Sequence, residues 1–206
     1  RTADCGLRTN LHPMRHFSTL LIIVTAFSGV VSQTLKSDSV ASISSYAATI
    51  DRYTNSKTKR RIFADVSSAT EDGPEKWKEF RSERERTKLE TGDNMNQVAF
   101  VWTRNGKLVA ANMMLTSPSG DWAHLINYYY RDDGTLAKIR AQLNTFYGDM
   151  SIVREQFFQS NGKLLRSTTR YLDLQTKKPK KKSGDLFDQE VPVYKTVAEL
   201  PFAKLL

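Results

Sequence analysis

The chain has 206 residues, of which 39% are hydrophobic, 10% aromatic and 26% charged. That length suits one domain or two small ones, and the composition excludes collagen-like, disulfide-scaffold and multi-span membrane proteins. The formal charge of +9 comes from 31 basic and 22 acidic residues, yet Lys177, Lys178, Lys180, Lys181 and Lys182 alone supply five of the positive charges, so one basic loop is indicated and a protein-wide nucleic-acid surface is not.

In chain order, residues 1–13 read as an upstream extension, because the first methionine is Met14. Residues 14–32 read as a signal peptide: Arg15 and His16 precede an apolar run from Phe17 to Val31. The run is shorter than the ~20 residues a membrane span needs. Val30 and Ser32 are small enough for the −3 and −1 positions, which leaves Gln33 as the mature start; cleavage after Ser28 is a second option. No cysteine follows the run, so it does not read as a lipoprotein signal. The single cysteine, Cys5, precedes Met14. An exported chain without cysteines fits a bacterial periplasm or the extracellular space, and it has no disulfide, thiol nucleophile or thiolate-bound metal. His124 is the only histidine after residue 16, so no metal or other cofactor is expected.

Residues 33–206 read as a single α+β domain, with a helical or mixed cover over 38–95 and a β-meander over 96–195. Val40, Ile43, Tyr46, Ala47, Ile50 and Tyr53 recur at helical spacing after Asp38 and Ser39, which can cap. Arg61–Val66 is a short strand. Asp72-Gly-Pro-Glu75 has the form of a capping box opening a charged helix to about Glu90, with Trp77 and Phe80 on one side.

The meander follows from a repeat. Asn105-Gly106, Asp133-Gly134 and Asn161-Gly162 lie 28 residues apart. Each follows an aromatic residue by three positions (Trp102, Tyr130, Phe158) and precedes x-Leu (Leu108, Leu136, Leu164). Gly120-Asp121 and Gly148-Asp149 alternate with them, and Gly184-Asp185 comes after an insertion that carries the lysines. Asn-Gly and Asp-Gly suit two-residue hairpin turns. Six antiparallel strands are therefore expected over 96–174, with a seventh near Val191–Lys195.

Two-residue loops at all five turns put Val98, Phe100 and Trp102 on one apolar face. The same face takes Val109, Ala111, Met113, Leu115, Trp122, His124, Ile126, Tyr128, Tyr130, Ala137, Ile139, Ala141, Leu143, Ile152, Phe158, Leu165 and Tyr171. Asn112, Asn127, Arg131, Lys138, Arg140, Gln142, Glu155, Arg166 and Arg170 take the other. A sheet with one apolar face needs a cover, which the N-terminal helices are expected to supply. In architecture such a sheet resembles nuclear-transport-factor-2-like and cystatin-like folds and the lipoprotein-carrier half-barrels. Tyr130-Arg-Asp-Asp-Gly134-Thr-Leu136 is similar to the YD (Rhs) repeat, whose core is Tyr-Asp-x-x-Gly-x-Leu. Arg131, Thr103 and Gln159 stand where that repeat has its aspartate, and the 28-residue period is longer than that family's.

No Gly-Lys-Ser/Thr loop, Gly-x-Ser-x-Gly elbow or His-Glu-x-x-His helix is present. The registers place Ser117, His124, Leu143, Arg154 and Thr169 in one cross-strand row. Leu115, Ile126, Ala141, Gln156 and Ser167 form the next, and Met113, Tyr128, Ile139, Phe158 and Leu165 a third. The apolar face thus turns polar toward its Gly-Asp end, where the lysines emerge. An inward Arg154 must be paired, solvated or ligand-facing. The expected function is a non-enzymatic, exported envelope or periplasmic protein. Its candidate ligand-binding residues are Ser117, His124, Arg154, Gln156, Thr169 and Tyr128, with Lys177, Lys178, Lys180, Lys181 and Lys182 as a basic loop. The partner would be an anionic lipid, a polysaccharide or another envelope component, with no specific nucleic-acid binding. The alternative is a small isomerase or hydrolase with a cone-shaped pocket, using His124 with Arg154 or Asp121. No motif specifies the ligand or the oligomeric state.

Overall fold

The computed structural model describes residues 38–56, 59–67, 74–88, 97–117, 119–182 and 188–206. The upstream extension, the signal peptide and the Gly184-Asp185 turn lie outside these residues. No helix among the described residues is long and apolar enough to cross a membrane.

Helix α1 runs from Val40 to Asn55 and buries Ile43, Tyr46, Ala47 and Ile50, four of the expected stripe. Ser39 caps it, its hydroxyl accepting from the Ser42 N–H at 3.2 Å. Strand β1 is Arg61–Asp65. The charged helix expected from Asp72 does not form over Trp77 and Phe80, which lie in strand β2, Trp77–Phe80, antiparallel to β1. Among the described residues of that stretch, only Glu83–Thr87 turns, as α2. Its capping box starts at Ser82, whose hydroxyl accepts from the Glu85 N–H at 3.2 Å, while the Glu85 carboxylate accepts from the Arg81 N–H at 2.8 Å. Trp77 and Phe80 are three apart, so a strand sends them to opposite faces. Phe80 packs with Ile62, Ala64 and Val98, and Trp77 packs on Phe202. Pairing with β1 and burial of Phe80 and Trp77 outweigh the helical preference of the Lys, Glu and Arg residues, as tertiary context routinely does.

The six meander strands form as expected: β3 (Gln97–Arg104), β4 (Lys107–Thr116), β5 (Trp122–Tyr130), β6 (Leu136–Thr145), β7 (Met150–Phe158) and β8 (Leu164–Asp173). With β1 and β2 on one edge they make a single eight-stranded antiparallel sheet, β2-β1-β3-β4-β5-β6-β7-β8, so six or seven strands is an undercount. The strand expected near Val191–Lys195 does not join this ladder. Pro192 has no N–H to give, and the segment crosses the sheet's face, tied by a Thr135–Thr196 bridge and the Leu136 N–H on the Lys195 carbonyl at 2.8 Å.

The registers show where turn chemistry sets the faces. His124 lies opposite Leu143 and Ala141 opposite Ile126, as two-residue loops require. The loops themselves differ. Asp132-Asp133-Gly134 and Ser160-Asn161-Gly162 are three-residue loops closed by a left-handed glycine (φ 83° and 78°). Each is followed by a bulge, at Ala137 and at Leu165. One extra loop residue and one bulge residue cancel, so the pairs beyond are those expected. Asn105-Gly106 is a true two-residue turn (φ 53° and 75°), yet its hairpin carries the same bulge, at Val109. Nothing cancels it, and β3 is inverted: Ala99 and Val101 share the face of Met113 and Ala111, while Val98, Phe100 and Trp102 point the other way. The Gly120-Asp121 and Gly148-Asp149 loops have four residues, which slides the pairing by two and keeps the faces. Leu115 therefore lies opposite His124, Leu143 opposite Ile152, and Ala141 opposite Arg154.

Both faces are covered, and not as expected. The C-terminal segment covers the apolar face: Leu200 and Phe202 are buried with Phe63, Ala99, Ala111, Met113, Ile126, Tyr128, Tyr130, Ile139 and Phe158, and Val191, Tyr194 and Val197 pack on them. Phe202 stacks on Phe63 at 4.9 Å. Helix α1 lies on the opposite face, against Val109, Ala110, Tyr129, Ala137 and Phe157. Those residues sit at the Asn-Gly end and are apolar on the face expected to be polar. Phenol latches hold α1 there: Tyr46 donates to the Tyr130 carbonyl at 2.5 Å, Tyr53 to the Thr103 carbonyl at 2.6 Å, and Tyr129 to Asp51 at 2.8 Å. Burial pushes the Tyr46 phenol up to about 12, so it remains a donor at neutral pH.

Candidate binding surfaces

The longer Gly-Asp loops separate the residues that the expected row brings together. Ser117 leaves β4 to hold the following turn, its hydroxyl accepting from the Trp122 N–H at 3.3 Å. His124 shares a row with Leu115, Leu143, Ile152 and Tyr171. Arg154 lies one row on, between Ala141 and an exposed Thr169. Gln156 lies between Ile139 and Ser167. Tyr128 is fully buried, and its hydroxyl donates to the Pro192 carbonyl at 3.0 Å. Its phenol is pushed far up by burial.

The inward arginine is paired within the chain. Its guanidinium donates to the Gln189 carbonyl at 2.7 Å and forms an ion pair with Asp188, both on the C-terminal segment. An open cleft of about 410 Å³ remains beside this pair, lined by Gln156, Ser167 and residues 188–191. One acceptor at this seam, Gln156 Oε1, is buried without a hydrogen bond. Sequence reasoning missed Asp188 and Gln189, because nothing local relates them to a strand 34 residues earlier.

His124 is 2% exposed. Burial lowers its pKa first of all, Arg154 lowers it further, and the Gln189 side chain and Asp188 oppose. The ring is thus kept neutral. A histidine with a depressed folded pKa takes up its proton later than in the unfolded chain, whose value is about 6.5. Stability is complete above pH 6.5 and is lost as pH falls toward the folded value. Urea midpoints at pH 7.5 and 5.5 are expected to show this loss in the wild type and a smaller one in His124→Asn; equal losses would remove His124 as the cause.

At the Gly-Asp end the basic loop is built onto the sheet. Lys180 folds back, donating to the Gly148 and Asp149 carbonyls at 2.9 and 3.2 Å, and lies 3.6 Å from Asp173. The Asp173 carboxylate caps its own turn from the Thr176 N–H and hydroxyl and the Gln175 N–H, which hold its pKa below the usual value. Lys177, Lys178, Lys181 and Lys182 stay exposed. Beside them the 146–149 loop presents Phe146 at 63% and Tyr147 at 52% exposure. Phe146, Leu174, Gln175 and Lys177 line one surface groove with Trp122. Two adjacent aromatics at a turn cannot both point inward, and that signal was available in Phe146-Tyr147-Gly148-Asp149.

On the other face a cleft of about 440 Å³ opens between the C-terminal half of α1 and strands β3–β6. Asn112 donates to Asn127 at 2.7 Å on its floor, and Asp51 accepts from Tyr129 at its wall. Among the described residues no group of three or more His, Cys, Asp or Glu side chains could hold a metal. Searches against family models, curated proteins and solved structures returned no match.

Proposed function

We propose that this chain is an exported, non-enzymatic envelope protein that docks on an anionic lipid surface through its Gly-Asp end. The observation that carries this is the pairing of exposed Phe146 and Tyr147 with four exposed lysines on one loop, itself fastened to the sheet by Lys180. Aromatic side chains at the interfacial depth and lysines over anionic headgroups are the two contributions that hold a peripheral protein on a membrane. Each lysine near such a surface contributes about 1 kcal/mol. What supports a binding protein over an isomerase or hydrolase using His124 is the covering of that ring and the internal pairing of Arg154.

Flotation with phosphatidylcholine vesicles, with and without phosphatidylglycerol, tests this. Binding is expected only with phosphatidylglycerol, and it weakens as salt is raised. Replacing Lys177, Lys178, Lys181 and Lys182 by glutamine is expected to cost more than a hundredfold in affinity. Phe146→Ser with Tyr147→Ser is expected to cost about tenfold or more at low and high salt alike, because the apolar contact is unscreened, whereas the loss in the lysine variant shrinks as salt is raised. Equal binding to neutral vesicles, unchanged binding of the lysine variant, or retention by acidic polysaccharide alone would overturn the lipid assignment. N-terminal sequencing of the envelope fraction tests export, with Gln33 expected first.

A further inference from the structure

We propose that the cleft beside the C-terminal half of α1 binds a saccharide unit that carries a carboxylate, such as a uronic acid. The site is distinct from the lysine-rich end and does not depend on the lipid assignment.

The floor of the cleft is the row Asn112–Asn127–Arg140, three neighbouring strands in register. The mutual bond at 2.7 Å orients both amides and uses one donor and one acceptor. Asn127 keeps its NH₂ and Asn112 keeps its carbonyl oxygen for other partners. Asp51 on α1 is fixed by the Tyr129 hydroxyl at 2.8 Å through one carboxylate oxygen, Oδ1. Donors and acceptors thus alternate across the cleft, which suits vicinal hydroxyls, each of which donates and accepts. Trp102 lines the same cleft and is only partly buried, so its indole offers an apolar face to a sugar ring. The inverted register of β3 is what brings Trp102 to this side.

The charge selects the acid. Arg140 is exposed, lines the cleft, and forms no ion pair among the described residues. Its cross-strand neighbour Glu155 is held by Lys138 at 2.6 Å and feels Arg140 only through longer-range attraction, and Arg60, which also lines the cleft, pairs with Glu83 at 2.9 Å. Arg140 is therefore the cation left to meet a ligand carboxylate, and a guanidinium meets one through two parallel bonds.

The probes are sodium glucuronate, glucose and acetate, titrated into the mature chain, with the three tryptophan indole N–H signals and the asparagine side-chain amides followed by NMR. Glucuronate is expected to shift the Trp102 and Asn127 signals saturably in the millimolar range, and glucose to bind about tenfold more weakly. Acetate is expected to leave Trp102 unmoved. Arg140→Gln should bring glucuronate down to the glucose affinity, and Asn127→Leu should weaken both about tenfold. Both variants should keep the wild type's dispersed backbone amide spectrum, which reports intact folding. No saturable shift with glucuronate, equal response to glucuronate and glucose, or unchanged affinity in Arg140→Gln would overturn the proposal.

Discussion

Arg131→Leu is expected to lower stability by about 3–4 kcal/mol, which at this chain size is roughly 10 °C in melting temperature. Arg131 occupies the position after Tyr130 where the repeat it resembles has an aspartate, and its side chain is nearly buried. It donates to the Leu136 carbonyl at 2.6 Å, the Phe158 carbonyl at 2.5 Å and Asp38 at 3.1 Å. Asp38 in turn accepts from the Ser160 N–H and hydroxyl, which help hold its carboxyl below the usual range. One guanidinium thus joins β5, β6, the end of β7 and the entry to α1. Leucine would leave two carbonyls without that donor and break the tie to the helix. Arg131→Lys keeps the charge but loses the planar fork, so it should recover less than half of the loss. Asp38→Asn should cost about 1 kcal/mol, since that end of the network is partly exposed. Urea denaturation at pH 7 measures all three; an Arg131→Leu chain within 1 kcal/mol of wild type would show that water replaces the guanidinium.

Phe202→Ala is expected to cost about 3–5 kcal/mol. Phe202 is four residues from the end of this sequence, yet it is 1% exposed, stacked on Phe63 and tilted against Trp77 at 5.1 Å. Alanine would leave a cavity between β1, β2 and β3, where neither ring can collapse inward without breaking strand pairing. Phe202→Leu fills most of the space and should cost less than half as much. Ending the chain before Val191 should have a larger effect, because it exposes Tyr128, Tyr130 and Ile139 and removes the acceptors of two buried phenols, the Pro192 and Tyr194 carbonyls. Insoluble protein, or a molten state that binds a hydrophobic dye, is the expected outcome. A soluble, cooperative fold from the shortened chain would mean that the C-terminal segment is an appendage rather than half of the core.

The aromatic-rich repeat was enough to read six strands, their order and the pairing of β5 with β6, because hydrophobic alternation and Gly turns are local signals and the sheet is a meander of nearest neighbours. The stripe of α1 and its Ser39 cap were legible for the same reason. The face to which each strand is committed was less secure. It depended on whether a one-residue bulge was matched by an extra loop residue, as at Gly134 and Gly162, or left unmatched, as at Gly106. Asn-Gly, Asp-Gly and the residues around them look alike in sequence, and parity counts single residues, so β3 and Trp102 came out reversed.

The covers were not legible at all. Helix α1 and the C-terminal segment are each apolar enough to cover either face, and Tyr129 and Phe157 on the second face look like exceptions to a polar pattern until α1 is seen on them. The same holds for Arg154. Its type and inward direction showed that a carboxylate or a ligand had to meet it. Which one did depended on Asp188 being carried across the sheet by a segment with no periodic pattern of its own. Contacts made within one hairpin are written into neighbouring residues. Contacts between distant segments depend on which of several compatible surfaces buries the most apolar area once the whole chain has closed, and no short stretch of sequence encodes that comparison.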